Sequence, residues 1–343
     1  MARLFVNTLR AQVQSISKYA RNASSLIGRD FLTLKDYEKD EIETLLWTAK
    51  DLKCRLGNGE IYEPLKGKVA SLIFQKRSTR TRLSSETAFS LLGGKACFLS
   101  PDDIHLGVNE TIRDSAVVLS RFSDVILARV YGQKVLDDLA NFADRPIVSG
   151  LSDTYHPLQA LADILTLQEH FGYVKGLKCA WVGDGNNIIH SLILGGLPLG
   201  MEFRVATPSG YECFDHVIKD AKNLAEKHQA TLTFTNNPFE AVSGADVVVT
   251  DTWISMGQED EKEARLKAFA DYRVTKKLMS NASKEAVFLH CLPRKQEEVD
   301  DEVFYDPARS LVWEEAENRK WTVMSVFLHL LANHRPLINK PKF

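Results

Sequence analysis

From about Leu32 the sequence alternates short β-branched runs with amphipathic segments, and this rhythm constrains the fold more than any other feature. Strands separated by helical crossovers pair in parallel, and a parallel sheet needs helices on its faces. The class expected is therefore α/β, with a central parallel sheet flanked by helices. Val69 to Phe74, Val125 to Arg129, Ile147 to Ser149, Lys178 to Val182, Glu202 to Ala206, Thr231 to Phe234, Val247 to Thr250 and Val287 to His290 read as strands. Asp40 to Leu52 and Thr79 to Leu92 read as amphipathic helices, the second stopped by Gly93-Gly94, where glycine accepts the left-handed backbone of a helix end. Two longer helices are expected at "HPLQALADILTLQEHFG" (156–172) and "ENRKWTVMSVFLHLLANH" (317–334). In the latter, Trp321, Met324, Phe327, Leu328 and Leu331 fall on one face, which is therefore buried. A chain of 343 residues suggests roughly two domains, and the first long helix, midway between two sets of strands, marks the boundary.

Composition narrows the function. Lys and Arg number 43 against 45 Asp and Glu, a net charge of -2, which argues against a general affinity for nucleic acid or a membrane surface. The longest apolar stretch, around Leu192 to Leu199, is far shorter than the ~20 residues of a membrane span and contains Pro198. Five cysteines with no Cys-x-x-Cys pair argue for a reducing compartment and against a disulfide framework or a thiolate metal site. Residues 1–29 stand apart: Arg3, Arg10, Lys18, Arg21 and Arg29 occur there, serines are interleaved, and the first acid is Asp30. This is the composition of a mitochondrial transit peptide, with a disordered N-terminal tail as the plainer alternative.

Four stretches carry chemistry. In "FQKRSTRTRLSSETAF" (74–89) a strand runs into Ser78-Thr79-Arg80-Thr81, which opens a helix. Free N–H groups at a helix N-terminus, joined by hydroxyls and by Arg80 and Arg82, suit a phosphate, although an N-cap with exposed basic residues is the commoner arrangement. No Gly-x-x-x-x-Gly-Lys is present, so this is not a nucleotide P-loop. "WVGDGNNIIHS" approximates a dinucleotide fingerprint, but Ile188 replaces the third glycine and no acid ends the next strand, so a nicotinamide cofactor is not expected. Asn186 and Asn187 there either present amides to a small zwitterion or stabilise the turn. "TDTWISMGQEDE" (250–261) puts Asp251 at the carboxyl end of a strand, in an acidic loop that favours an amine, where Met256 can cover alkyl carbons. "FLHCLPRK" (288–295) places Cys291 at another strand end, where an inert buried thiol is the ordinary case. His105 and His156 lack the partners of a zinc site, so no metal and no cofactor is assigned.

Taken together, Ser78-Thr79-Arg80-Thr81-Arg82, His156-Pro157-x-Gln159, Asp184-Gly-Asn-Asn187, Asp251-Thr-Trp-Ile-Ser255-Met256-Gly257 and His290-Cys291-Leu292-Pro293-Arg294 resemble the transcarbamylases, in particular the ornithine carbamoyltransferases of animal mitochondria. The likeness runs in order from Arg29 to Phe343. It implies two α/β domains bridged by the two long helices: residues 30–160 for carbamoyl phosphate, 161–316 for ornithine, and 317–343 returning to the first domain. It further implies a homotrimer with shared active sites in the mitochondrial matrix, transferring the carbamoyl group of carbamoyl phosphate to the side-chain amine of L-ornithine.

Carried over by motif, Ser78, Thr79, Arg80 and Thr81 would hold the phosphate, with His105 entering from a neighbouring subunit. Arg129 and His156 would join Thr81 around the carbamoyl oxygen. Gln159 and the Leu292 carbonyl would take the carbamoyl amino group, and Arg319 would add charge. Asn187, Asp251, Ser255 and Met256 would meet ornithine, with Cys291 and Asp251 near the reacting amine. Attack of a neutral amine builds an oxyanion and expels phosphate, which is the work that preplaced Arg and His donors assist. Three departures stand out: Gln75 where the family commonly has Glu, Gly195-Gly196-Leu197-Pro198 in a helix usually rich in Ala and Lys, and Cys213-Phe214 in place of Pro-Asp. A transcarbamylase for aspartate or putrescine, and a catalytically weak relative kept for partner binding, are the competing readings.

Overall fold

The computed structural model describes residues 25–104, 106–107, 109–255 and 258–343, so the expectations placed on residues 1–24, His105 and Met256 lie outside the described residues. Among the described residues the chain builds two parallel sheets. The first contains β1 (Val69–Phe74), β2 (Lys95–Leu99), β3 (Val125–Arg129) and β4 (Ile147–Leu151) in the order β2-β1-β3-β4. The second contains β5 (Lys178–Val182), β6 (Glu202–Ala206), β7 (Leu232–Thr235), β8 (Val247–Thr250) and β9 (Val287–His290) in the order β7-β6-β5-β8-β9. In each sheet the winding direction reverses once, between β1 and β3 and between β5 and β8, with Ala70 opposite Val125 and Cys179 opposite Val247. Such reversals open a crevice at the carboxyl ends of the strands.

Helices α1 (Lys39–Gly57), α2 (Thr79–Leu91), α3 (Ile112–Phe122), α4 (Gln133–Phe142) and α5 (Pro157–Phe171) go with the first sheet. After them come α6 (Asn187–Gly196), α7 (Asp215–His228), α8 (Pro238–Val242), α9 (Lys262–Ala268), α10 (Lys276–Met279), α11 (Asp301–Phe304) and α12 (Val312–Leu331). Pro157 fits the first turn of α5, where no backbone donor is needed, and Gly172 at φ 81 closes it. Every residue of α5 from Pro157 to Gln168 is buried, because α12, α6, α1 and β4 pack around it. The helix α12 lies on α5, α1, α2 and β9. These two helices thus touch elements of both sheets, and one apolar cluster containing Phe89, Leu161, Trp181, Phe203 and Phe327 runs through both halves.

Three features depart from the expectation. The strand β2 was not anticipated: Lys95-Ala-Cys-Phe-Leu has no β-branched residue, and as a half-exposed edge strand it is set by pairing with β1 more than by its own pattern. The helix α12 begins at Val312, before the expected Glu317, and so gains Glu314 and Glu315 in a first turn that favours acids. The packed body also begins before Asp30, since Leu26 is buried and the Gly28 amide donates to the Leu330 carbonyl at 2.9 Å. Pro198 behaves as its chemistry requires: α6 stops at Gly196.

Candidate active site

The chemistry-bearing residues collect at the carboxyl ends of β1, β3, β5, β8 and β9, beside the two reversals. The strand β1 leads into Ser78, whose extended backbone and side-chain oxygen cap α2, the oxygen accepting from the Thr81 amide at 3.2 Å. No acid occupies the first turn of α2. Arg80 leans across the cleft and donates from Nη2 to the Leu292 carbonyl at 2.5 Å. Arg82 turns away, pairing with Glu86 and covering the Phe98 ring at 3.6 Å, so of the two arginines in this turn only Arg80 serves the cleft. Gln75 accepts from the Tyr131 amide and donates its own amide to the Arg129 carbonyl, which fixes the strand end carrying Arg129.

Arg129, the last residue of β3, and Arg319 of α12 both donate to Thr81 Oγ1, at 3.4 and 3.2 Å. Arg319 donates further to Gln159 Oε1 at 2.5 Å and meets His156 Nε2 at 3.1 Å. A guanidinium only donates, so His156 Nε2 accepts and its ring proton sits on Nδ1, a buried atom with no partner among the described residues. Burial, then Arg319 and Arg129, push His156 well below the ordinary imidazole value and keep it neutral. Burial also lowers Arg129 to about 10, with Arg80 the next cause, and Arg319 to about 9, with Arg129 the next. Half-buried Lys76 is lowered to about 8, by burial and then by Arg129. The acceptors of the three arginines are neutral groups, and Nε of both Arg129 and Arg319 is buried without a partner among the described residues. Cations held this way are arranged for an anion.

Across the cleft, Asp251 ends β8. Its Oδ1 accepts from the Cys291 thiol at 3.0 Å and its Oδ2 from Asn186 Nδ2 at 2.9 Å. Burial, then Asp251, raise Cys291 well above the usual thiol range, so it is a donor to Asp251 and not a thiolate nucleophile. Asn186 also caps α6 by accepting from the Ile188 amide, while Asn187 Nδ2 reaches the Ser152 carbonyl at 2.5 Å. Gly185 is a packing glycine: a Cβ there would lie 2.3 Å from the Cys213 amide nitrogen. Leu292, at φ 60 and followed by a cis peptide to Pro293, donates its amide to His290 Nδ1 at 3.0 Å. Ser255 is half buried, its amide given to Gln258 Oε1 and not to the Asn186–Asp251 pair. Thr79 is exposed at the opening of α2.

The structure therefore brings Thr81, Arg129, His156, Gln159 and Arg319 into one hydrogen-bonded group, Arg80 and the Leu292 carbonyl into a second, and Asp251 and Cys291 into a third, with Cys291 and Leu292 adjacent in the chain. The sequence did not disclose Asn186 as Asp251's partner, nor Asp163 and Glu315 behind Gln159. The available signal was a carboxylate one helical turn from a site residue, Asp163 after Gln159 and Glu315 before Arg319, inside largely buried helices.

Two open parallel sheets, with arginines bonded only to neutral acceptors at the strand ends of one and a carboxylate–thiol pair at those of the other, define a two-sheet α/β protein built to hold an anion beside an amine. More particularly, the chain belongs to the aspartate/ornithine carbamoyltransferase family: the carbamoyl-P binding domain matches residues 29–169 and the Asp/Orn binding domain residues 175–330. It is 53% identical over 326 residues to the mitochondrial ornithine carbamoyltransferase of Aquarana catesbeiana, covering 95% of this chain and 93% of that protein. It is 54% identical over 319 residues to the mitochondrial ornithine transcarbamylase of Gallus gallus, covering 93% and 90%. The ornithine carbamoyltransferase structure from Pyrococcus furiosus superposes with a TM-score of 0.87 at 46% identity, covering 90% of this chain and 99% of that one.

Proposed function

We propose that this protein transfers the carbamoyl group of carbamoyl phosphate to the side-chain amine of L-ornithine, giving L-citrulline and phosphate. The observation that carries the reading is the set of three guanidinium groups, Arg80 half-buried and Arg129 and Arg319 buried, whose hydrogen bonds go to neutral acceptors, opposite a carboxylate at the end of β8. The relatives named above act on ornithine, and their likeness spans nearly the whole chain. In this scheme residues 30–160, completed by 317–343, hold carbamoyl phosphate and residues 161–316 hold ornithine. Ser78, Thr79, Arg80 and Thr81 grip the phosphate, with His105 contributed by a neighbouring subunit. Arg129, Arg319 and the Nδ1–H of neutral His156 stabilise the oxygen that gains charge as the amine attacks. Gln159 Oε1 and the Leu292 carbonyl accept from the carbamoyl amino group. Asn187, Asp251, Ser255 and Met256 hold ornithine's α-amino and α-carboxylate groups, and Cys291 keeps Asp251 oriented.

The neutral side-chain nitrogen forms a bond to the carbamoyl carbon, the bond from that carbon to the phosphate oxygen breaks, and the proton lost from nitrogen leaves with phosphate or through the site. We also place the protein in the mitochondrial matrix, as a homotrimer with shared sites. The mitochondrial relatives support the organelle, and outward-facing Leu83, Val118 and Phe122 around the first sheet support self-association. Sedimentation of the purified chain at trimer mass is expected, and a monomer with full activity would remove the shared-site part.

The test of the reaction is an assay with carbamoyl phosphate and, in turn, ornithine, putrescine and aspartate. Citrulline should form from ornithine, with the other amines far slower, and Arg80→Ala should lower the rate about 10²- to 10³-fold. Equal inactivity with every amine, or a preference for putrescine or aspartate, overturns the reading.

A further inference from the structure

Behind Gln159 lie two carboxyl groups that the reaction as described does not use. Asp163 of α5 and Glu315 in the first turn of α12 are each 1% exposed. Gln159 Nε2 donates to both, to Asp163 Oδ1 at 2.7 Å and to Glu315 Oε1 at 2.9 Å. Glu315 Oε2 accepts from the His290 amide at 2.9 Å, and Asp163 Oδ2 is buried without a partner among the described donors. Both carboxyls thus converge on the one amide nitrogen of Gln159, and the charge of Asp163 bears on Glu315. Burial raises Asp163 to about 7, and burial, then the charge of Asp163, raises Glu315 well above the carboxylate range. The charge of Arg319 of α12 bears on Asp163 and that of Asp251, just past β8, on both; Cys291, just past β9, feels both carboxyls and Cys179 of β5 feels Asp163. Adjacent buried carboxylates do not both ionise readily, so the pair keeps a proton.

The consequence for Gln159 is geometric. Its amide nitrogen is engaged by two carboxyls, so the side chain cannot flip, and Oε1 is the atom that must face Arg319 and the ligand. The same Glu315 grips the amide of His290, two residues before the Leu292 carbonyl. We propose that Asp163 and Glu315 act as a positioning pair that sets both acceptors of the carbamoyl amino group, Gln159 Oε1 and the Leu292 carbonyl, and so make the site select a carbamoyl over an acetyl group. This rests on the carbamoyl-transfer reading. A methyl group in place of the amino group leaves Gln159 Oε1 with only its bond from Arg319 and the Leu292 carbonyl with only its bond from Arg80, so each acceptor loses the second hydrogen bond that a carbamoyl amino group supplies, which is a basis for rejection.

The experiment is calorimetric titration of the full chain with phosphonoacetamide, which carries the amide, and with inorganic phosphate, which does not, together with steady-state rates. Asp163→Leu should weaken phosphonoacetamide about 10- to 100-fold and raise KM for carbamoyl phosphate in step, while phosphate binding changes less than about threefold. Asp163→Asn should recover most of the loss, because its neutral side chain keeps the shape of the protonated acid and its Oδ1 still accepts from Gln159. Phosphate binding reports that each variant is folded; if Asp163→Leu does not fold, the smaller Asp163→Ser takes its place. Equal weakening of both ligands, or an Asp163→Asn variant as impaired as Asp163→Leu, overturns the positioning pair. A wild-type chain that binds phosphate but not phosphonoacetamide overturns the transfer reading itself, and the pair with it.

Discussion

His156 and the amine assigned to attack titrate on different sides of neutrality, and the pH profile separates them. Burial and the neighbouring arginines hold His156 neutral, whereas a lysine-like amine is only about 0.1% neutral near pH 7.4. The logarithm of kcat/KM for ornithine should therefore rise with a slope near one from about pH 6 to 8; a break near 6.5 would mean that His156 charges and that its assigned role is wrong. Cys291 gives a second residue-scale prediction. Its thiol is held protonated beside Asp251, while Cys54 and Cys97 are exposed, so iodoacetamide near pH 7.5 should alkylate Cys54 and Cys97 at least ~10-fold faster than Cys291, as read by peptide mass spectrometry. Arg80, Arg129, Asp251 and Cys291 were legible in the sequence because each ends or follows a strand or opens a helix, positions at which residue type alone suggests chemistry. Asn186, Asp163 and Glu315 were not, because their roles arise from contacts across the chain: Glu315 lies 156 residues from the Gln159 it orients, and no local pattern encodes that meeting.

At the scale of elements, strands with β-branched runs were readable and β2 was not, since its place comes from the Val69–Lys95 register with β1. The glycines of α6 make the complementary point. Their sequence reads as a weakened helix, because glycine costs about 1 kcal/mol relative to alanine, but the neighbours supply the reason for them. A Cβ on Gly195 would meet Leu34 Cδ1 at 2.6 Å and Ile164 Cδ1 at 3.2 Å, and one on Gly196 would meet Phe203 Cζ at 2.6 Å. Large side chains on adjoining elements already fill the space that alanine would need. Gly196→Ala should therefore lower stability by about 1–2 kcal/mol despite its better helix propensity, since overpacking against fully buried Phe203 outweighs that gain. Gly196→Ala combined with Phe203→Leu should recover part of the loss. Denaturant unfolding followed by circular dichroism checks both, and a single variant more stable than wild type would show that the Phe203 ring yields at little cost.

At the scale of the whole molecule, the last helix and the segment after it tie the chain's end to its beginning. Beyond α12 the chain doubles back over α1: the amides of Leu337 and Ile338 both donate to Asp51 Oδ1 at 3.0 and 3.1 Å, Trp47 Nε1 donates to the Ile338 carbonyl at 3.0 Å, and Lys340 pairs with Glu43. Asp51 is fully buried, so this clasp works out of water. Removing its carboxylate leaves two backbone donors without their charged acceptor, a loss of roughly 2–4 kcal/mol. Asp51→Ala is accordingly expected to lower Tm by several degrees and to speed proteolytic trimming after Leu331, where the tail leaves α12. Because Arg319 lies about three turns before the end of α12, away from the clasp, KM for carbamoyl phosphate should move less than about threefold once the variant is assayed well below its Tm. A large rise in KM with an unchanged Tm would reverse that assignment, making Asp51 a determinant of the site and the tail clasp secondary.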